Sequence, residues 1–232
     1  MKVADDVARL RMEYEDRKQR FAGQDIYSPF NMAHLFEVQG RQRAVVGALK
    51  KQGVAELAHL RILEMGCGGG DVLAEYLAFG AAACNLYGVD LLGDRLAHAK
   101  HWLPGCSFAN GDGQRLPFPS QSFDLVLQYT ALSSILDPEF RHRICSEMLR
   151  VLKPNGLILS YDFWLNPTNR QTRGLLPGEI RGLFPGCRCT FQRLTLAPPL
   201  ARRLVSVSWG LCLFLESLKM FNTHTLAVVR RG

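Results

Sequence analysis

The sequence has no uninterrupted apolar run of the roughly 18–20 residues that a helical membrane span needs. It has no internal repeat, no low-complexity tract and no long Gly/Ser linker, which excludes solenoids, collagen-like chains and flexible arrays. The first twenty residues, MKVADDVARLRMEYEDRKQR, mix charges around no apolar centre and do not read as a secretory signal. Metal-type clustering is missing too. The seven cysteines are odd in number and irregularly spaced; Cys187 and Cys189 form C-x-C with no second pair near them. The expectation is of reduced, mostly buried thiols in a cytoplasmic protein, and of no metal site. Acid is scarce at one end only. Residues 1–164 carry 18 Lys/Arg against 19 Asp/Glu, whereas residues 165–232 carry 10 against 2, nine of the ten being Arg. That tail is either a solvated basic face or a surface that meets an anion such as a phosphate, a carboxylate or a lipid head.

What is present suits one globular domain: 232 residues, 47% of them hydrophobic and 21% charged. Residues 1–52 read as two helices, 3–20 and 34–52, forming a cap, with a turn near Ser28-Pro29. Residues 53–232 read as the body, in which 165–222 is a basic and apolar acceptor-side region. Between residues 60 and 163 apolar strands alternate with helices, which predicts βαβ units and a parallel sheet. The strands are expected at 61–65, 86–90, 107–109, 123–129 and 156–163, then at 190–196 and 223–230. Asp71 is placed to cap the helix after the first strand. The apolar stretch 204–221 is expected to form a helix between the last two strands.

The strongest local signal is Gly66-Cys67-Gly68-Gly69-Gly70, which follows a strand and opens a helix, with Asp90 ending the next strand 20 residues after Gly70. Glycines let backbone approach a ligand, and an acid at that strand end accepts ribose hydroxyls. The dinucleotide spacing G-x-G-x-x-G would need glycine at position 71, where Asp71 stands, and a carboxylate there repels pyrophosphate. The pattern points to a ligand with a ribose and no pyrophosphate at that place, and against a nicotinamide oxidoreductase.

These residues resemble a family. Glu64-Met65-Gly66-Cys67-Gly68-Gly69-Gly70 looks like the first motif of class I S-adenosylmethionine-dependent methyltransferases of the type 11 kind. Gly88-Val89-Asp90, Gly111-Asp112-Gly113, Ser122-Phe123-Asp124-Leu125-Val126 and Leu149 to Leu157 resemble the later motifs in order. The resemblance implies a doubly wound, seven-stranded, mostly parallel α/β sheet with an antiparallel last strand and an N-terminal helical cap. It implies S-adenosylmethionine as cofactor and S-adenosylhomocysteine as product. It places Asp90 on the ribose, Leu91 against the adenine, and Asp112 with Gly113 at the adenine amino group. Gly66, Cys67, Gly68 and Gly70 form the turn beside the methionine end. Glu64 lies beneath it, either orienting glycine amides or meeting the donor ammonium, and Gln128 borders the methionine part. Tyr27 or Tyr14 closes over that end.

Methyl transfer is an in-line displacement that needs alignment, dryness and, for an acceptor of high pKa, a base. Asp162, ending the fifth strand, is the candidate base, or else it caps the following loop. Many family members have His after the fourth strand, where this chain has Thr130 to Asp137 without one. The tail resembles bacterial methyltransferases found beside polysaccharide and glycolipid genes. That likeness implies a small-molecule or glycolipid-type acceptor; methylation on oxygen is expected, with nitrogen and carbon acceptors open. The basic tail suits an anionic acceptor, and residues 200–221 are either a helix packed on the sheet or an acceptor wall or surface facing the inner side of a membrane, with Arg202 and Arg203 near lipid phosphates. A monomer or homodimer is expected. An RNA methyltransferase and a non-catalytic partner subunit are the alternative readings; no N/D-P-P-Y-type motif follows the fourth strand, so nucleic acid is not expected as partner.

Overall fold

A computed structural model describes residues 3–21, 23, 25–166, 169 and 171–232, with the side chains of all but Val3, Ala4, Asp5 and Lys18. Seven strands form one sheet: β1 (Ile62–Met65), β2 (Leu86–Asp90), β3 (Ser107–Asn110), β4 (Phe123–Tyr129), β5 (Leu152–Phe163), β6 (Cys187–Leu196) and β7 (Asn222–Arg231). Their order is β3-β2-β1-β4-β5-β7-β6. Strands β1 to β5 pair in parallel, and β7 runs antiparallel to both β5 and β6. This is the expected doubly wound sheet with its reversed last strand.

The central strands are apolar throughout because both of their faces are covered. On β4, Leu125, Leu127 and Tyr129 face one layer and Val126 the other. Helices α2 (Met32–Lys51) and α3 (Asp71–Ala78) cover the first face, burying Val45, Leu49, Leu73 and Tyr76. Helices α1 (Val3–Arg20), α5 (Pro138–Val151) and α6 (Pro177–Leu183) cover the second, burying Leu10, Phe140, Ile144 and Ile180. Helix α4 (Gly93–Trp102) flanks β2 and β3. The two N-terminal helices, expected to cap one site together, therefore lie on opposite faces, and only α1 reaches the cavity described below.

Two local expectations are corrected, and one helix is added. Asp71 is the first residue of α3 rather than its cap; Gly70 takes that place at φ +88°, a conformation glycine enters freely. The expected single helix over 204–221 is two, α7 (Pro198–Leu204) and α8 (Trp209–Ser217). The break falls where Ser208 turns extended at φ −157° and its hydroxyl accepts the amide of Leu211 at 3.2 Å, capping α8. Helix α6 has no counterpart among the expected elements. Pro177 starts it, and the Glu179 side chain returns to accept the Leu176 amide at 3.0 Å. Among the described residues no helix is long and apolar enough to cross a membrane.

Candidate active site

The glycine turn is built by close approach. The Gly66 and Cys67 amides both donate to the Val89 carbonyl, at 2.8 and 3.0 Å, which stitches the turn onto the end of β2. Gly66 lies at φ +73°, and a side chain there would strike Ala131. At Gly68 a side chain would fall on the Arg95 guanidinium, which lies over the turn and 5.2 Å from the Tyr14 ring centre. The Asp90 carboxylate accepts the Gly68 amide at 2.7 Å and the Leu92 amide at 2.9 Å, so it holds the turn and the start of the next loop together. Each of its oxygens keeps a further lone pair for a hydroxyl.

One cavity of about 60 Å³ gathers Gly66, Asp90, Leu91, Asp112 and Gly113, five of the expected site residues, from the ends of three adjacent strands. Asp112 accepts the Gln114 amide at 2.9 Å and its side-chain nitrogen at 2.8 Å, which fixes the carboxylate at the rim. Ala131, Ser134 and Ile135 close the side after β4, and Leu10 with Tyr14 of α1 forms the roof. Nucleoside-sized pockets are several-fold larger than this one, so α1 sits where a bound ligand's volume must be made. Among the described residues no His, Lys or Cys lines this cavity.

The remaining expected residues lie outside the lining. Cys67 packs in the core on the α2–α3 side, its sulfur 2.6 Å from where a Gly88 side chain would begin, and burial pushes its thiol up. Glu64 is buried beneath the turn, and its Oε2 has no hydrogen-bond partner among the described residues. Burial, and then the nearby Asp90 charge, raises its carboxyl well above the usual range. An orphan carboxylate oxygen at that place fits a ligand that brings an ammonium group.

Gln128 and Asp162 turn out to be one internal network. The Gln128 side-chain nitrogen donates to Ser160 Oγ and Asp162 Oδ2, each at 2.9 Å, and its oxygen accepts the amides of Ala131 and Leu132 at 3.0 and 3.2 Å. Asp162 also accepts the Ser133 amide at 3.0 Å and the Phe163 amide at 2.8 Å. Burial raises its carboxyl while these bonds oppose the rise. Asp162 therefore shapes the loop after β4, and the base role expected for it is not supported by this placement. Thr130 begins that loop at φ +56°, a strained conformation for a β-branched residue.

Tyr27 is also displaced from its expected seat. It is exposed, accepts from Arg17 at 2.7 Å and stands edge-on to His34, while Tyr14 takes the place over the cavity. The spacing of Val7, Leu10 and Tyr14 along α1 is the signal that marks this face. Reading the sequence also missed Arg41. It pairs with Glu75 of α3, and its guanidinium lies 5.6 and 5.5 Å from the ring centres of Tyr129 and Tyr161 at the ends of β4 and β5. Beyond Tyr161, His224 stacks at 4.7 Å with planes 2° apart, and burial lowers it to about 3.

A second, open groove of about 460 Å³ follows β5, lined in part by Trp164, Leu165, Arg173, Leu176 and Glu179. The Arg173 amide donates to the Ser133 carbonyl at 2.8 Å, which ties a residue of this groove to the loop that closes the cavity.

Residues 62–156 match the family model described as a methyltransferase domain. Over 116 residues the chain is 40% identical to phthiotriol/phenolphthiotriol dimycocerosates methyltransferase 1 of Mycobacterium ulcerans, covering 49% of this chain and 41% of that protein. Over 110 residues it is 39% identical to fatty-acid O-methyltransferase of Mycolicibacterium smegmatis, covering 47% and 39%. The match thus spans about two fifths of the length of these relatives. The fold is similar to that of a SAM dependent methyltransferase from Archaeoglobus fulgidus, with a TM-score of 0.57 and 17% identity over 85% of this chain and 98% of that one. Residues 62–156 thus match a methyltransferase domain, and the strand order and the glycine turn before α3 are in keeping with that match.

Proposed function

We propose that the protein transfers a methyl group from S-adenosylmethionine to an oxygen of a lipid-type small molecule that arrives as an anion. The observation that carries this reading is the single cavity joining Gly66, Asp90, Leu91, Asp112 and Gly113. In it Asp90 holds the ribose hydroxyls, Leu91 packs on the adenine, and Asp112 with the Gly113 backbone meets the adenine amino group. Glu64, beneath Gly66, Cys67, Gly68 and Gly70, turns its unpartnered oxygen to the donor ammonium. When bound, the donor's sulfonium supplies an electrophilic methyl group. The protein aligns the partners and keeps water out, with α1 as the lid.

A carboxylate acceptor needs no base, since it is ionised at neutral pH, and the candidate base Asp162 is engaged by Gln128 and Ser133. The Mycolicibacterium smegmatis relative is named for O-methylation of a fatty acid, which agrees. The basic tail favours an anion. Contact with a membrane surface through 200–221 belongs to the same reading, because a lipid acceptor resides there.

The test is calorimetric titration of the purified chain with S-adenosylmethionine, S-adenosylhomocysteine and NADH, followed by mass spectrometry of products from a fatty acid and the fatty alcohol of equal length. Binding of the first two ligands and methyl ester from the acid is the expected result. Methyl ether from the alcohol alone would sink the carboxylate reading, and failure of a folded chain to bind either adenosyl ligand would sink the whole.

A further inference from the structure

Two short stretches, far apart in the chain, hold most of the large apolar side chains left in solvent. One is the connection into α2, with Phe30 89% exposed beside Tyr27 and Met32; the other is α7–α8, with Val207 76%, Phe214 60% and Met220 68% exposed. They rest on one common support. Ala33 and Phe36 of α2 pack with Ala201, Val205 and Cys212 in a small core of their own, and Phe36 meets Trp209 edge-on at 5.1 Å. An apolar face assembled from two segments over a dedicated core is not the scattered exposure of an ordinary surface.

The charge around this face is of one sign along α7–α8. Arg202, Arg203 and Lys219 are exposed there. Glu216, the one acid between Pro198 and Phe221, is turned inward: it accepts the Thr195 amide at 3.1 Å and lies against Gly40. Asp25 is the acid on the shorter stretch. The position is as telling as the composition. Helices α7 and α8 connect the end of β6 to the start of β7, and the start of β7 pairs with the end of β5, as His224 does with Phe163. The face therefore stands at the same end of the sheet as the loops that form the cavity.

From this we infer that Tyr27, Phe30 and Met32 together with α7–α8 form one docking surface for an anionic lipid bilayer, the apolar side chains entering the interface and Arg202, Arg203 and Lys219 meeting phosphates. The inference deepens the lipid-acceptor reading and rests on it for its purpose. The bilayer contact itself is read without donor or acceptor. Apolar insertion and basic attraction add, and each arginine near an anionic surface contributes about fivefold in partitioning.

The experiment is flotation of the full chain with vesicles of phosphatidylcholine alone and of phosphatidylcholine with 30% phosphatidylglycerol, at low and high salt. Preferential, salt-sensitive partitioning onto the phosphatidylglycerol vesicles is expected. Phe30→Asp with Phe214→Asp should reduce it at least tenfold, and Arg202→Gln with Arg203→Gln should reduce it by about 25-fold at low salt and erase the preference between lipids. Unchanged melting and donor titration in these variants show that they fold. Absence of the wild-type chain from phosphatidylglycerol vesicles, or equal flotation of the variants, overturns the inference. So does a wild-type dimer by light scattering that Phe30→Asp with Phe214→Asp dissociates, which would assign the face to a second copy. Methyl transfer to a detergent-dispersed fatty acid without flotation would remove the docking surface and leave the proposed reaction standing.

Discussion

The carboxylate of Asp6 accepts the backbone amide of Asp137 at 2.9 Å, joining residues 131 apart in the chain. The same oxygen takes the Leu136 amide at 2.9 Å, and Arg9 pairs with Asp6 while donating to the Ser134 carbonyl. A buried carboxylate with two amides and an arginine is a strong tether. It pins α1 across the loop after β4 and sets Leu10 and Tyr14 over the cavity. Asp6→Ala should leave the sheet folded, loosen α1 and weaken donor binding by about tenfold, in keeping with about 1–3 kcal/mol for an unmade charged bond. Limited proteolysis after Arg9 and Arg11, alongside donor titration, measures both effects.

Asp90→Ala removes a ribose acceptor and the partner of the Gly68 amide in one step. Donor affinity should fall by about 10- to 100-fold, from about 1.5–3 kcal/mol per lost charged hydrogen bond. Calorimetry reads this directly, and unchanged affinity would remove Asp90 from the donor site.

Asp162→Asn separates two roles. A base would lose turnover alone. In the observed network the amide would set an N–H against the Ser133 or Gln128 donors, so the loop after β4 should loosen. The expected outcome is a drop of about 2–3 kcal/mol in stability together with weaker donor binding. Denaturant melts and titration on the same sample decide it.

His224 gives a pH signature. Its pKa falls from 6.5 unfolded to about 3 in the native chain because burial disfavours the charged ring. The unfolded chain then binds the extra proton between those values. The stability that the neutral ring contributes is complete above about pH 6.5 and is lost as pH falls towards 3, by up to about 1.4 kcal/mol per pH unit. Glu37, raised by burial to about 7, acts in the opposite direction between its ordinary 4.5 and 7. The difference between wild type and His224→Phe isolates the histidine: the variant should lose acid sensitivity between pH 6.5 and 4 in urea melts.

The strand and helix rhythm of residues 60–163 was legible because strands buried on both faces are continuous apolar runs, and each ends in a turn signal. That Asp90 and Asp112 stand near the ends of β2 and β3 and border one cavity was legible from the turn signals after those strands. What was hidden depends on contacts between distant residues. Nothing near Asp6 announces Leu136 and Asp137. The aromatic cage of Arg41 needs the ends of β4 and β5 side by side. Asp162 reads equally as a base or a brace until Gln128 and Ser133 are placed beside it. The break in 204–221 was hidden by hydrophobicity, which masked the capping power of Ser208.

The loop 131–135 carries a last consequence. Its backbone is gripped by Gln128 and Asp162 from below, by Arg9 from one side and by Arg173 from the other. A loop tied to α1 through Arg9 cannot be indifferent to the lid: donor binding, which must displace Leu10 and Tyr14, should change the amide hydrogen exchange of residues 131–135.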